Sequence, residues 1–386
     1  MQYVRLRKGA DRLDGSPWIR KARVSRVQGP AIVGDLAQVE DRDGEVLGFG
    51  LYAAGADIAV RLVTLGAAEP PHDWLERRIR AALQARAAYG YGEADMTGYR
   101  EINSEGDCLP GLVVDRYGPD RVVQLGSAAM GALETRIATA LGDVPGRTFV
   151  TVEPGAAKRE GVSAATPPPQ DDGPLQFCEH GLSFETAAPP GQKTGAYLDQ
   201  RDNRVAVARL VATTGCGDVL DVGCHVGGFA LHAARAGARV VALDQSAVAL
   251  RHGRVNEAAN DLVGITWVEA DMFSQLDEVL GDREFGTIIA DPPRIQTGRR
   301  DRGRPTHALG GLVRRLARRV APFGHLVLCS CSFHLGREQL DAVVTAAGEG
   351  EFVRVAALGQ PEDHPVWPGH AEGEYLRVNI YQRRLV

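Results

Sequence analysis

Four aspartates stand where apolar runs end, which is where a parallel sheet would gather reactive groups. Asp221 opens the stretch Asp221-Val222-Gly223-Cys224-His225-Val226-Gly227-Gly228. Glycines at such a turn let backbone approach a ligand closely and let a helix start tight against the preceding strand. The spacing is not G-x-G-x-x-G, so pyrophosphate is not the natural ligand. Asp244 ends the next apolar run, 23 residues after Asp221, where an acid accepts hydrogen bonds from a ribose. Asp271-Met272 ends the third run, where an acid can meet an adenine amino group. Asp291 ends the fourth and precedes Pro292 and Pro293, which fix the backbone and remove two donors, building a rigid rim.

The fifth run ends Leu328-Cys329-Ser330-Cys331-Ser332. C5 of a pyrimidine is a poor nucleophile. A thiolate that adds to C6 makes C5 enamine-like, replacing one high barrier by two lower ones. On a regular strand Cys329 and Cys331 share a face, so position and not periodicity separates them. Cys331, nearer the strand end, is the expected nucleophile, and Cys329 the expected small core residue. The serines beside Cys331 are expected to stabilise its thiolate.

These positions require a particular set of elements. From about residue 181, strand-like runs (GDVLDVG, ARVVALD, GITWVEAD, GTIIADPP, GHLVLCSCS) alternate with helical ones (ALHAARAG, SAVALRHGRVNEAAN, LVRRLARRVA). That alternation predicts an α/β, doubly wound parallel sheet with its functional loops at the C-terminal strand ends. Punctuation at 67–74 and 165–174 divides the remainder. Before the first break, short β-like runs predict a small β-barrel of about 70 residues. Between the breaks, helical periodicity over 75–89 and in ALETRIATALG, with two strand-like runs, predicts an α+β domain. The expected domains are therefore 1–70, 71–180 and 181–386.

At 386 residues two or three domains are expected. No apolar run approaches a membrane span and none at the start has signal-peptide length, so a cytoplasmic protein is expected. Six cysteines without CxxC pairs or metal-type clustering with histidine point to reduced thiols and no metal. The net charge of −5 hides two basic clusters. Residues 1–30 carry eight basic side chains against two acids, and 294–319 carry nine arginines against Asp301, the pattern a phosphate backbone selects.

The order D-x-G-x-x-x-G-G, D, A-D-M, D-P-P resembles class I methyltransferases that use S-adenosylmethionine. Longer peptides narrow this. LRKGADRLDGSPWI (6–19), INSEGDCLPGLVVDRYG (102–118), GQKTGAYLDQRDNR (191–204), EDHPV (362–366) and EGEYLR (372–377) are similar to the ribosomal RNA large-subunit methyltransferase I family. The resemblance implies a Rossmann-like class I methyltransferase sheet preceded by a PUA-like β-barrel and a central α+β domain. It implies synthesis of 5-methylcytosine in 23S ribosomal RNA, with Cys331 as nucleophile and Asp291 facing the base. Cofactor-binding residues would be Tyr197, Gln200, Asp221, Gly223, Cys224, Gly227, Asp244, Gln245, Asp271, Met272, Asp291 and Pro292. Gln192, Lys193, Asp199 and Arg201 fall on the peptide near cofactor and RNA. RNA contacts are expected from Lys193, Arg201, Arg294, Arg299, Arg300, Arg302 and Arg304. The partner would be large-subunit ribosomal RNA, naked or in an assembly intermediate; a homodimer is left open.

The chain departs from the family at the Arg-rich RIQTGRRDRGRPTH after D-P-P and at Cys224-His225. No cysteine follows D-P-P, so the base that removes the C5 proton is unassigned; His334 reads as a loop residue. The alternatives are methylation of guanine or another base, for which Arg294 stands where a stacking aromatic is wanted, and a non-enzymatic RNA-binding assembly factor. A nicotinamide dehydrogenase lacks its fingerprint.

Overall fold

The structure, a computed structural model, describes all residues except 1, 10–14, 31, 168, 171–172, 189–194, 216, 295–303 and 385–386, and the side chains of 304–306. It divides into two compact units. One comprises Met1–Phe177, Ala188–Gly195 and Glu362–Gly373; the other comprises Cys178–Ala187, Ala196–Pro361 and Glu374–Val386. Among the described residues no helix is long and apolar enough to cross a membrane.

The first unit begins with β1 (Gln2–Leu6), β2 (Trp18–Arg20), β3 (Val24–Gln28), β4 (Leu36–Glu40), β5 (Val46–Tyr52) and β6 (Ile58–Leu65). They form a sheet in the order β2-β6-β5-β4-β1-β3, with β1 and β4 parallel. There follow α1 (Trp74–Ala88), β7 (Gly98–Asn103), β8 (Leu112–Tyr117), β9 (Asp120–Leu125), α2 (Ala128–Ala132), α3 (Glu134–Leu141), β10 (Thr148–Val152) and α4 (Pro154–Glu160). Their sheet runs β10-β9-β8-β7. The first sheet keeps a core of its own around Val4, Leu6, Ile19, Val39, Val60 and Leu62, and its other face joins a second core that reaches past residue 70. Leu51 and Val63 of the first sheet share one cluster with Trp74, Leu75 and Ile79 of α1 and with Leu112 and Val114 of β8. A nearly buried ion pair, Arg61–Glu160 at 2.6 Å, ties β6 to α4.

The second unit contains α5 (Arg201–Thr214), β13 (Asp218–Val222), α6 (Gly228–Arg235), β14 (Arg239–Asp244), α7 (Ala247–Ala259), β15 (Ile265–Glu269), α8 (Leu276–Leu280) and β16 (Phe285–Ala290). It continues with α9 (Arg304–Ala317), β17 (Val320–Ser330), α10 (Arg337–Ala347), β18 (Glu351–Leu358) and β19 (Arg377–Arg384). A hairpin of β11 (Leu175–Glu179) and β12 (Leu182–Thr186) precedes them. The sheet order is β15-β14-β13-β16-β17-β19-β18. The first five strands are parallel, as predicted, but β19 is antiparallel to both β17 and β18, so the sheet is mixed. Alternation sends Leu220 and Val222 to the core under α9 and α10, and Val219 to the core under α5 and α6. Helices α5 and α10 and the pair β18–β19 lie outside the elements that periodicity predicts, and α9 starts at Arg304 rather than Leu312.

Residues 362–373, between β18 and β19, belong to the first unit rather than the catalytic sheet. There two of the long sequence signatures meet. The Arg100 N–H donates to Asp363 Oδ2 at 2.8 Å and the Asn103 amide to the Pro365 carbonyl at 2.8 Å. A side chain at Gly106 would strike that same carbonyl. Arg86, 3 % exposed, binds Asp107 in a bidentate pair at 2.6 and 2.7 Å and also donates to the Asp363 carbonyl. Arg86→Leu would strand the Asp107 carboxylate in the interior. The expected cost is about 3–5 kcal/mol, read as a lower denaturant midpoint; an unchanged midpoint would show that the pair does not hold this unit.

Candidate active site

The site forms where β13 lies between β14 and β16, the point at which the chain's winding direction reverses and a crevice opens. Three backbone bonds pin the turn after β13. The Gly223 and Cys224 N–H groups both donate to the Leu243 carbonyl, at 2.8 and 3.1 Å, and Asp291 N–H donates to the Val222 carbonyl at 3.0 Å. Gly223 has φ +81°, and a side chain there would run into the Asp291 carbonyl. Gly227, at φ +87° where α6 begins, lies against the Trp267 ring. Asn256, 1 % exposed on α7, donates to the Val226 carbonyl at 3.1 Å and fixes the turn from behind.

Three carboxyl groups converge on this turn. Asp244 accepts the His225 N–H on Oδ2 and the Ser246 N–H on Oδ1, both at 2.9 Å. His225, at φ +51°, is one of the non-glycine residues held in the left-handed region. Asp221 is fully buried; Oδ2 accepts the Ala230 N–H at 3.0 Å and Oδ1 has no partner. Burial, then the nearby Asp291 and Asp244 carboxylates, push its carboxyl up to about 8. Burial, with Asp221 and Asp244 next, also raises the Cys224 thiol well above its ordinary range. A cleft floored by glycine backbone and ringed by aspartates is suited to a ligand that carries positive charge.

Of the other sequence-predicted cofactor residues, Met272 and Pro292 are buried and Gln245 is exposed. Asp271 lies past the end of β15, where its Oδ1 accepts the N–H groups of Phe273 and Ser274 at 2.6 and 3.0 Å. The Tyr197 ring meets His225 edge-on, centroids 5.1 Å apart. Gln200 donates to Asp291 Oδ2 at 3.1 Å and accepts from Asn203 at 2.7 Å, so Asn203, which the motifs did not single out, orients the amide that orients the acid. The Arg201 side chain, expected among the RNA contacts, is 0 % exposed and lies inside the first turn of α5. Arg294 is exposed just past the rim. Gln192, Lys193, Arg299, Arg300 and Arg302 lie outside the described residues, and Arg304 opens α9 without a described side chain.

The two thiols are in different surroundings. Cys329 is fully buried, opposite Val378 in the β17–β19 ladder and within the core under α5. Burial, then Asp291, raise it well above the ordinary thiol range, although a hydrogen bond with Gln200 works the other way. Cys331 is half-buried, just past the last residue of β17. The Ser330 hydroxyl accepts the Ser332 N–H at 3.2 Å across it and so shapes the turn.

A buried charged group behind the site has no sequence motif. Arg204 donates to Glu179 Oε2 at 2.6 Å and to the Tyr197 carbonyl at 2.8 Å, and its guanidinium lies on Gly228 where a side chain would otherwise be. His232 Nε2 lies 3.0 Å from Glu179 Oε1, and Arg235 donates to its Nδ1 at 3.2 Å. Burial acts to raise the Glu179 carboxyl, but Arg204 and His232 outweigh it and hold it down at about 2.

The raised Asp221 carboxyl makes a pH prediction for the ligand-free protein. Between about pH 4 and 8 the folded chain holds a proton that the unfolded chain has lost, so stability falls as pH rises through this window. Melting temperature should drop by roughly 5–10 °C from pH 5 to 8 on this account, and Asp221→Asn should flatten most of the decline. Parallel profiles for the two proteins would place the proton elsewhere.

The chain matches two family models, a PUA-like domain over residues 4–65 and a methyltransferase domain over residues 219–298. Its fold is similar to that of an S-adenosylmethionine-dependent methyltransferase from Streptococcus mutans, with a TM-score of 0.81 and 17% identity, covering 99% of this chain and 100% of the other. It is 33% identical to a ribosomal RNA large subunit methyltransferase of Deinococcus radiodurans, covering 96% of this chain and 94% of the relative. It is 31% identical to the ribosomal RNA large subunit methyltransferase I of Shewanella amazonensis (94% and 93%) and 32% identical to that of Photobacterium profundum (94% of each). With such identity over nearly the whole of both chains, and with the glycine turn and strand-end acids in place, the protein belongs to the ribosomal RNA large subunit methyltransferase I family.

Proposed function

We propose that this S-adenosylmethionine-dependent methyltransferase of large-subunit ribosomal RNA methylates C5 of a cytosine through a covalent bond to Cys331. The observation that carries the reading is the contrast between the thiols. Cys329 is sealed in the core, whereas Cys331 is half-buried beyond the strand end, at the sheet edge that also carries Asp291. A nitrogen target needs only a positioned lone pair and gives a thiol at this edge nothing to do.

The cofactor supplies a methyl group made electrophilic by its sulfonium. The residues fit it: the Gly223–Gly227 backbone would cradle it, Asp244 would accept from its ribose, Asp271 from its adenine, and Asp221 would face its cationic end. Tyr197, Gln200, Cys224, Gln245, Met272 and Pro292 would complete the surround. The cytosine is swung out of its stack to reach the site. Asp291, oriented by Gln200, would hydrogen-bond the base while the Cys331 thiolate forms a bond to C6 and the C5–C6 electron pair moves to C5. C5 takes the methyl group; loss of its proton to a base then returns the C6–S pair to sulfur and frees the thiolate. Arg294, with Lys193, Arg299, Arg300, Arg302 and Arg304, would meet the RNA backbone.

Cys331→Ala should lower turnover by at least about a thousandfold, the scale for loss of a nucleophile, while S-adenosylmethionine affinity by calorimetry stays unchanged. Cys329→Ala should keep turnover within a few-fold. RNA containing 5-fluorocytidine should trap a covalent adduct with the wild type, because fluorine at C5 blocks the final elimination. An adduct or full turnover with Cys331→Ala would overturn the assignment.

A further inference from the structure

The first sheet carries a cavity of about 230 Å³ that the methyltransferase reading leaves unused. Part of its wall is apolar: Val24, Val27 and Tyr52 pack half-buried on the sheet's core, and Ala59 is buried. Arg7 and Lys21, both exposed, also line it. The Arg7 Nε donates to the Val24 carbonyl at 3.0 Å, which pins the guanidinium beside the cavity and leaves its other N–H groups to a ligand.

Two other cations of the first sheet are paired with carboxylates. Arg5 pairs with Glu40 at 2.7 Å and Arg20 with Asp57 at 3.0 Å. Among the described residues no carboxylate pairs with Arg7 or Lys21. Two uncompensated cations beside an apolar wall with one aromatic ring match an anion joined to a flat ring. Paired bases in a duplex hide their faces; an unpaired nucleotide offers both parts at once.

We propose that this cavity takes one unpaired nucleotide of the RNA, its phosphate between Arg7 and Lys21 and its base against Tyr52 and the valine wall. The site rests on the reading of the protein as an RNA methyltransferase and adds to it a single-strand grip outside the methyltransferase sheet. It selects substrate by local strand structure, since a phosphate site alone would hold a duplex equally well.

The test uses the full-length protein with an unstructured oligoribonucleotide and a blunt RNA duplex, each titrated over a range of salt. Arg7→Gln/Lys21→Gln should weaken single-strand binding tenfold or more and reduce the slope of log K against log salt by about 0.7 for each lost phosphate contact. Tyr52→Leu, which keeps an apolar wall, should weaken single-strand binding roughly five- to tenfold, at the lower end of what base stacking contributes, and leave duplex binding alone. S-adenosylmethionine affinity, measured on each variant, should match the wild type and shows that the fold is intact. Wild-type single-strand affinity and slope in the charge variant would overturn the cavity and leave the methyltransferase reading standing. Equal losses on single strand and duplex would also overturn it, since no base would then be held. Failure of the wild type to bind the single strand would likewise overturn the cavity alone.

Discussion

Arg204 is held on three sides, and the placement of the site follows from that. One N–H contact reaches Glu179 on the hairpin, another reaches the Tyr197 carbonyl, and the guanidinium plane rests on Gly228 at the start of α6. With Arg235 donating to Nδ1, His232 carries its proton on Nε2 and donates to Glu179 as a neutral ring. The buried cluster is thus one anion and one cation with their main partners satisfied. Such a pair adds little stability over apolar residues of the same size, because removing two charges from water costs nearly what their attraction returns. Its contribution here is geometric. The contacts of Arg204 tie hairpin, α5 and the start of α6 together, with only its Nε left unpartnered, and the Tyr197 ring then lies against His225 in the glycine turn.

The turn in turn concentrates like charge. Asp221, Asp244 and Asp291 end three neighbouring strands, and a parallel sheet aligns strand ends at one edge. Backbone N–H groups satisfy Asp244, and Asp221 keeps its proton. The cleft is therefore poised for a cation, and entry of one converts a repulsive arrangement into an attractive one. A ligand of the same shape without the charge would gain less.

What was legible in the sequence was local. Glycines at a strand-to-helix turn and acids at strand ends announce themselves because each answers to its own backbone conformation, and Gly223, Asp221, Asp244 and Asp291 are where that logic puts them. What was not legible depends on contacts distant along the chain. Glu179, Arg204 and His232 belong to three elements and form no spaced pattern. Arg201 reads as a surface cation in a peptide rich in polar residues, yet it is buried, because the first turn of α5 faces inward. The break at 67–74 looks like a boundary, but Leu51 and Val63 find their partners beyond it. Peptides 102–118 and 362–366 were recognisable separately; only the fold shows that Arg100, Asn103 and Gly106 exist to receive Asp363 and Pro365.

The antiparallel strand β19 bears directly on the chemistry. Periodicity around the two cysteines allows both to face one side, and both would be core residues if the strand continued. Pairing with β19 runs from His325 to Ser330, opposite Gln382 to Arg377, and stops there. Cys329 is consequently fixed opposite Val378, with Leu328 and Val327 already committed to the two faces of the sheet. Cys331 is the first residue past the ladder, and the Ser330 hydroxyl bonds the Ser332 N–H across it. A short turn of this kind turns the backbone away from strand geometry at that residue, so the rule that residues two apart share a face ceases to hold between 329 and 331. The two thiols differ by one step along the chain's alternation, yet one lies in a packed interior and the other half-buried beyond the end of the ladder.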